Sequence, residues 1–243
     1  MDWFYELCEE LEPIIKDAAN EFCRENNLTL ENISKEIYYE YSVPTTTFEV
    51  TVVFNGKVLK ESITFNITIR PDLKSKKAKI FVEGEKKKLI TTRKTCQKVD
   101  KLRNSIKKAI LYSIENELNK YVHADRFLEL LNKIKDMISS DVSLCYNPSF
   151  ISFGFGDDSI AVFLTFDPKQ RELKIAKIKI ELSTKLRTVL FLDVLINYYG
   201  YKDIINYVDE NVVHLDISEK NKNEQLEILS KVIELVKMYN LFS

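Results

Sequence analysis

Three groups of residues in this 243-residue chain are of types that could carry chemistry. Gly154-Phe-Gly-Asp157-Asp158 sets two adjacent carboxylates in a turn, an arrangement that can hold a divalent cation when further acids converge on it. Four cysteines (Cys8, Cys23, Cys96, Cys145) and two histidines (His123, His214) supply every thiol and imidazole. None of these stand at metal-ligand spacing, and a Cys–His nucleophile pair would have to be assembled across the fold. Cys8 and Cys23 fall on or beside the apolar stripe of the first expected helix, where packing accounts for them. The third group is a dense run of lysines in the middle of the chain.

The stretch Gly154-Phe-Gly-Asp-Asp-Ser-Ile-Ala-Val-Phe-Leu164 resembles the strand, turn and strand of palm-type polymerases and of GGDEF-type nucleotide cyclases. In those families the acids of the turn bind metal for phosphoryl transfer, a role the resemblance would place on Asp157 and Asp158. It covers eleven residues. The families also carry an earlier Asp-bearing strand, in a motif like Asp-x-Asp-x-Phe-Lys, and residues 100–150 contain none. A single acidic pair does not build a two-metal site, and Asp-Asp after Gly is ordinary turn chemistry. A phosphate-cradling Gly-rich loop, a Gly-x-Ser-x-Gly elbow and a His-Glu-x-x-His helix are all missing. The expectation is a protein that is not an enzyme, with no catalytic residue, no metal ligand and no cofactor.

The lysines carry more information. The net charge is −1, yet residues 1–40 hold eleven acids and three bases, while residues 70–108 hold fifteen bases and four acids. Lys94, Lys98, Lys101, Ser105 and Lys108 recur at four- and three-residue steps, so on a helix they share a face away from Val99, Leu102 and Ile106. Lys74, Lys76 and Lys77 occupy the turn upstream; Lys86, Lys87, Lys88 and Arg93 fill the next loop. Clustered lysines repel one another unless they are solvated or meet an anion. The functional reading is a surface that neutralises phosphates of a nucleic acid without reading its sequence, since base recognition favours Arg over Lys. The bland reading is a solvated face, or one that folds back on the acidic first helix. Tyr38, Tyr39 and Tyr41 could stack on bases, although an aromatic strand is more often core.

The elements that must position these groups follow from periodicity. Trp3, Leu7, Leu11, Ile14, Ala18 and Phe22 predict a helix over 2–25, with Pro13 kinking it or starting a second one. Phe48, Val50, Val52 and Phe54 alternate, Asn55-Gly56 intervenes, and Ile63, Phe65, Ile67 and Ile69 alternate again, which predicts a hairpin whose turn residues accept positive φ. Residues 36–42 and 77–83 are expected to add strands on either side, and a helix to run from about 98 to 120. The second half predicts a helix at 125–138, a hairpin of 148–155 and 159–166, a strand at 172–182 and a helix at 187–199 stopped by Gly200. A strand at 211–216 and a helix at 222–239 complete it; that helix is apolar on two sides, as a helix between the halves or at a subunit interface would be.

Thr68–Glu83 and Thr165–Glu181 match as a strand end, a Pro-containing turn and a Lys-rich strand closed by Glu, which suggests a tandem unit. The fold expected is α+β: two related helix–antiparallel sheet–helix units packed together, one over residues 1–122 with the acidic first helix and the basic segment 70–108, the other over 123–243. The element order of the second half resembles the secretion-chaperone and YbjN-like group of small α+β proteins. That resemblance implies binding of other proteins through sheet and helix surfaces, and dimers. With no basic, apolar leader at Met1-Asp2-Trp3 and no run long enough for a bilayer, a cytoplasmic address and no membrane contact are expected. The expected partner is nucleic acid, bound non-specifically, or an acidic protein surface, with a homodimer compatible; the alternative is a chaperone-like adaptor, and third an enzyme of unrecognised type.

Overall fold

A computed structural model of the chain describes residues 2–74, 77–82, 89–92, 99–138 and 142–241. It divides into two compact units, Met1–Val122 and His123–Ser243. Each is helix and antiparallel sheet, so the fold is α+β.

In the first unit, helix α1 (Asp2–Glu25) buries Phe4, Leu7, Leu11, Ile15 and Phe22 along one stripe. Pro13 lies inside α1 without ending it. Pro13 is exposed, so the helical carbonyl its ring cannot bond faces water, which supplies the missing donor. The sheet is a meander of β1 (Leu28–Glu40), β2 (Val43–Asn55), β3 (Lys60–Asp72), β4 (Lys77–Val82) and β5 (Leu89–Thr92), in that spatial order. Phe48, Val50 and Val52 on β2, Phe65, Ile67 and Ile69 on β3, and Ala78, Ile80 and Val82 on β4 are all buried, the period-2 pattern of a sheet with one covered face. The edge strand β1 carries a register shift between Leu30 and Asn32. It meets α1 through the Lys35–Glu12 ion pair at 3.0 Å and the Tyr5–Tyr39 hydroxyl contact at 3.0 Å.

The turns differ from expectation. The β2–β3 hairpin forms, but across a loop from Gly56 to Leu59 closed by the Gly56 amide on the Leu59 carbonyl at 2.9 Å. Neither Asn55 nor Gly56 takes a positive φ. The tight left-handed turn is instead Tyr41–Ser42 (φ 52° and 64°), joining β1 to β2. Two consecutive left-handed residues are what a two-residue hairpin needs to match strand twist, and a bulky Tyr is a costly choice there. Replacing Tyr41-Ser42 by Asn-Gly is therefore expected to stabilise the first unit by about 1 kcal/mol, read as slower hydrogen exchange along β1 and β2.

Helix α2 (Val99–Met137) is continuous, where two helices with a break near residue 121 were expected. The segment Tyr121-Val-His-Ala124 holds neither Gly nor Pro, so nothing interrupts the backbone ladder. The unit boundary falls within this helix.

In the second unit, β6 (Leu144–Asn147), β7 (Phe150–Phe155), β8 (Asp158–Asp167) and β9 (Glu172–Glu181) form a second meander. Helix α3 (Lys185–Asp193) follows, runs directly into a π-turn at Val194–Tyr198, and stops at Gly200, whose φ is 72°. The hairpin β10 (Ile205–Asp209) and β11 (Val212–Asp216) then adds to β9 through β11, leaving β10 at the edge. Strands β5, β6 and β10 were not expected; each is short. Helix α4 (Lys222–Leu241) buries Ile228, Leu229, Val232, Ile233, Leu235 and Val236 in one core with Phe191 and Leu195. Its second apolar side is thus covered by α3 within its own unit, which corrects the expectation that it faced the other half or another subunit.

The two sheets share a spatial order but not a connectivity: four meandering strands with a fifth antiparallel to the fourth, β5 directly following β4 in one unit, β11 reached from β9 only through α3 and β10 in the other. Both long hairpins are opened by an Asp that accepts a backbone N–H two residues on, Asp72 from Lys74 at 3.1 Å and Asp167 from Lys169 at 2.8 Å. Strand β9 is irregular. The β8–β9 register slips between Phe163 and Leu164, leaving Ala176 outside the ladder. Ile217 donates to its carbonyl at 3.0 Å, and the adjoining Ile175 amide donates to the Gln225 side chain at 3.0 Å. A helix side chain has replaced a lost ladder partner.

Candidate functional site

The basic segment is only partly within the described residues. Lys76, Lys86, Lys87, Lys88, Arg93, Lys94 and Lys98 lie outside them, and Lys101 is placed as a position on α2. Lys74 sits in the β3–β4 turn, Lys77 opens β4 and Lys108 lies on α2; all three are exposed.

The strand register brings further cations to Lys77. Arg70 on β3 pairs with Lys79 on β4, and Asp72 with Lys77. The neighbours Ile69 and Ile80 are buried, so by alternation Arg70, Lys77 and Lys79 all project from the opposite, outer face. Arg70 is braced there by an ion pair with Glu40 at 2.5 Å and lies over the Phe81 ring at 5.7 Å. Arg70 and Lys79 were not among the residues singled out from the sequence. The cross-strand register was the missing signal: read singly they are surface charges, and read in register they are neighbours.

The acidic pair separates into two unrelated residues. Asp157 is exposed in the turn beside Gly156, whose φ is 58°. Asp158 opens β8 and is fully buried. Its Oδ2 accepts from Arg187 Nη1 at 2.6 Å and Asn240 Nδ2 at 2.9 Å, and its Oδ1 accepts from the Ser183 amide at 2.6 Å. These donors tie β8 to the start of α3 and the end of α4. A carboxylate surrounded by three N–H donors is built to anchor protein, not to receive a cation. Among the described residues no group of three His, Cys, Asp or Glu side chains could hold a metal ion.

Cys96 lies outside the described residues; the other three thiols and both imidazoles are placed within them. Burial pushes the Cys23 thiol up to about 11 and raises Cys8 as well, against the pull of its hydrogen bond to Thr46 and of Lys35. Both are therefore poor nucleophiles at neutral pH. Cys145 is exposed on β6. His123 lies within α2, its ring stacked on Phe166 at 4.8 Å and its Nε2 3.2 Å from the Pro148 carbonyl. His214 packs beside Tyr207 on the β10–β11 hairpin.

The second unit also has an open pocket of about 650 Å³ walled by Val142, Phe155, Lys237, Asn240 and Leu241. Its cation is committed: Lys237 donates to the Met137 carbonyl at 2.7 Å and lies over the Phe155 ring. No described helix is long and apolar enough to cross a membrane. No protein-family model matches the chain, and no curated protein matches it significantly.

Proposed function

We propose that this is a non-enzymatic binding protein whose ligand is a polyanion, most simply the sugar–phosphate backbone of a nucleic acid, held through the basic segment 74–108. The observation that carries the reading is the charge segregation: twelve lysines and three arginines against four acids within residues 70–108 of a chain whose net charge is −1. Mutual repulsion on that scale opposes folding and is relieved when an anion enters. On the outer face Lys77 and Lys79 add to it, Arg70 being already paired with Glu40 and Asp72 standing across from Lys77. The excess of Lys over Arg favours point-charge contact with phosphates over bidentate reading of bases.

The test is anisotropy binding of labelled single- and double-stranded DNA and RNA across a salt series. With roughly five phosphate contacts, affinity for duplex DNA falls about 500-fold between about 50 and 200 mM salt. Replacing Lys94, Lys98 and Lys101 by Glu, or Lys77 and Lys79 by Glu, flattens the slope and removes binding at the higher salt. Absence of binding at low salt, or binding indifferent to both variants, overturns the proposal. The first outcome would favour the alternative, an adaptor that holds protein through apolar surfaces.

A further inference from the structure

We propose that the outward face of α3 is a self-association surface, and that its occupant is the same face of a second copy of this chain, laid antiparallel about a two-fold axis at Val189. Helix α3 turns Thr188 and Phe191 into the core. On its other side Leu186, Val189 and Leu190 are 68%, 56% and 46% exposed. One exposed leucine is ordinary. Three large apolar side chains at i, i+3 and i+4 of a nine-residue helix form a stripe of the kind that packs on another helix.

The charges at the ends of the stripe specify the occupant. Lys185 and Asp193, both exposed, stand four residues to either side of Val189. In an antiparallel pair centred on Val189, Lys185 of each copy meets Asp193 of the other, giving two ion pairs from one symmetry operation. A parallel pair would set Lys against Lys and Asp against Asp. Lys185 gains little from its own helix: it is the first helical residue, the first turn holds no acid, and a cation there opposes the helix dipole. Among the described residues no acid lies within ion-pair distance of it. Arg187 adds no charge to the face, because its guanidinium is turned in to Asp158. The Asp193 carboxylate is oriented by Asn197, which donates to it at 2.7 Å.

A contact limited to one short helix falls below the roughly 800 Å² per partner of a tight complex. The dimer is therefore expected to dissociate on the order of 10 µM.

Sedimentation of the full chain from about 1 to 200 µM tests this directly. The wild type should shift from monomer to dimer across that range. Val189→Lys places two ammonium groups across the axis and should remain monomeric. Lys185→Glu and Asp193→Lys should each weaken dimerisation about tenfold, and the Lys185→Glu/Asp193→Lys double variant should restore it. Lys185→Glu puts an acid at a helix start, so its thermal midpoint should hold or rise while association falls, which separates a lost interface from a lost fold. A wild type that is monomeric throughout, a dimer indifferent to Val189→Lys, or a double variant no better than the singles overturns the proposal.

Discussion

Replacing Asp158 by Ala is expected to lower the stability of the second unit by about 3 kcal/mol. Removing the carboxylate strands three donors at once: the Ser183 amide, an Arg187 N–H and the Asn240 amide. Breaking a buried charge pair from one side costs about 3–5 kcal/mol. The lower end applies here because the Arg187 side chain keeps 20% of its exposure and can recover some hydration. Asn is no remedy at this position. It offers one acceptor oxygen where the carboxylate offered two, and turns an NH2 group toward N–H donors. The measurement is hydrogen exchange of the β8 and β9 amides, which reports one unit of a two-unit chain; a loss of 3 kcal/mol speeds exchange through global opening about 150-fold. Asp157→Ala, in the exposed half of the same turn, should change it by less than about threefold.

The second large effect is expected at Gln225. This buried amide uses both its donors and its oxygen: Oε1 accepts from Ile175, and Nε2 donates to the Ile217 and Lys220 carbonyls, each at 3.0 Å. Gln225→Leu keeps the volume but strands the buried Ile175 amide and takes one donor from the Ile217 and Lys220 carbonyls, the former keeping the Lys220 amide, a loss of about 1–3 kcal/mol. Gln225→Glu should be at least as harmful, since a carboxylate would face two carbonyl oxygens. If Gln225→Leu were neutral in urea unfolding, the bulge at Ala176 would have to satisfy its backbone in another way.

Both positions show what the sequence could and could not convey. The sheets were legible wherever one face is covered, because burying alternate residues writes itself as Phe48, Val50, Val52 or Ile63, Phe65, Ile67. Helices α1 and α4 were legible by the same logic at helical period. The short edge strands β5, β6 and β10 were not, since four or five residues paired on one side leave too little pattern. The Tyr41–Ser42 turn was hidden because neither residue advertises a left-handed backbone, whereas Asn55-Gly56 advertises one it does not adopt. Asp158 looked like a turn residue because its partners lie 25, 29 and 82 residues away. Gln225 gave no signal, as its role depends on a bulge fifty residues upstream. For the basic segment the run of lysines was plain, while the grouping of Arg70 with Lys79 waited on the strand register.

The edge strand β1 bears on how the protein behaves when concentrated. Thirteen residues of edge, with N–H and C=O groups along one side, are a template for sheet-to-sheet accretion into fibrils. Glu31, Glu36 and Glu40 outnumber Lys35 along it, and the shift between Leu30 and Asn32 puts a kink near its start. A second copy laying its own β1 alongside would crowd carboxylates together and meet a misaligned ladder. The strand is long enough to nucleate aggregation and charged so as to refuse its own kind, a colloidal safeguard written into its own side chains.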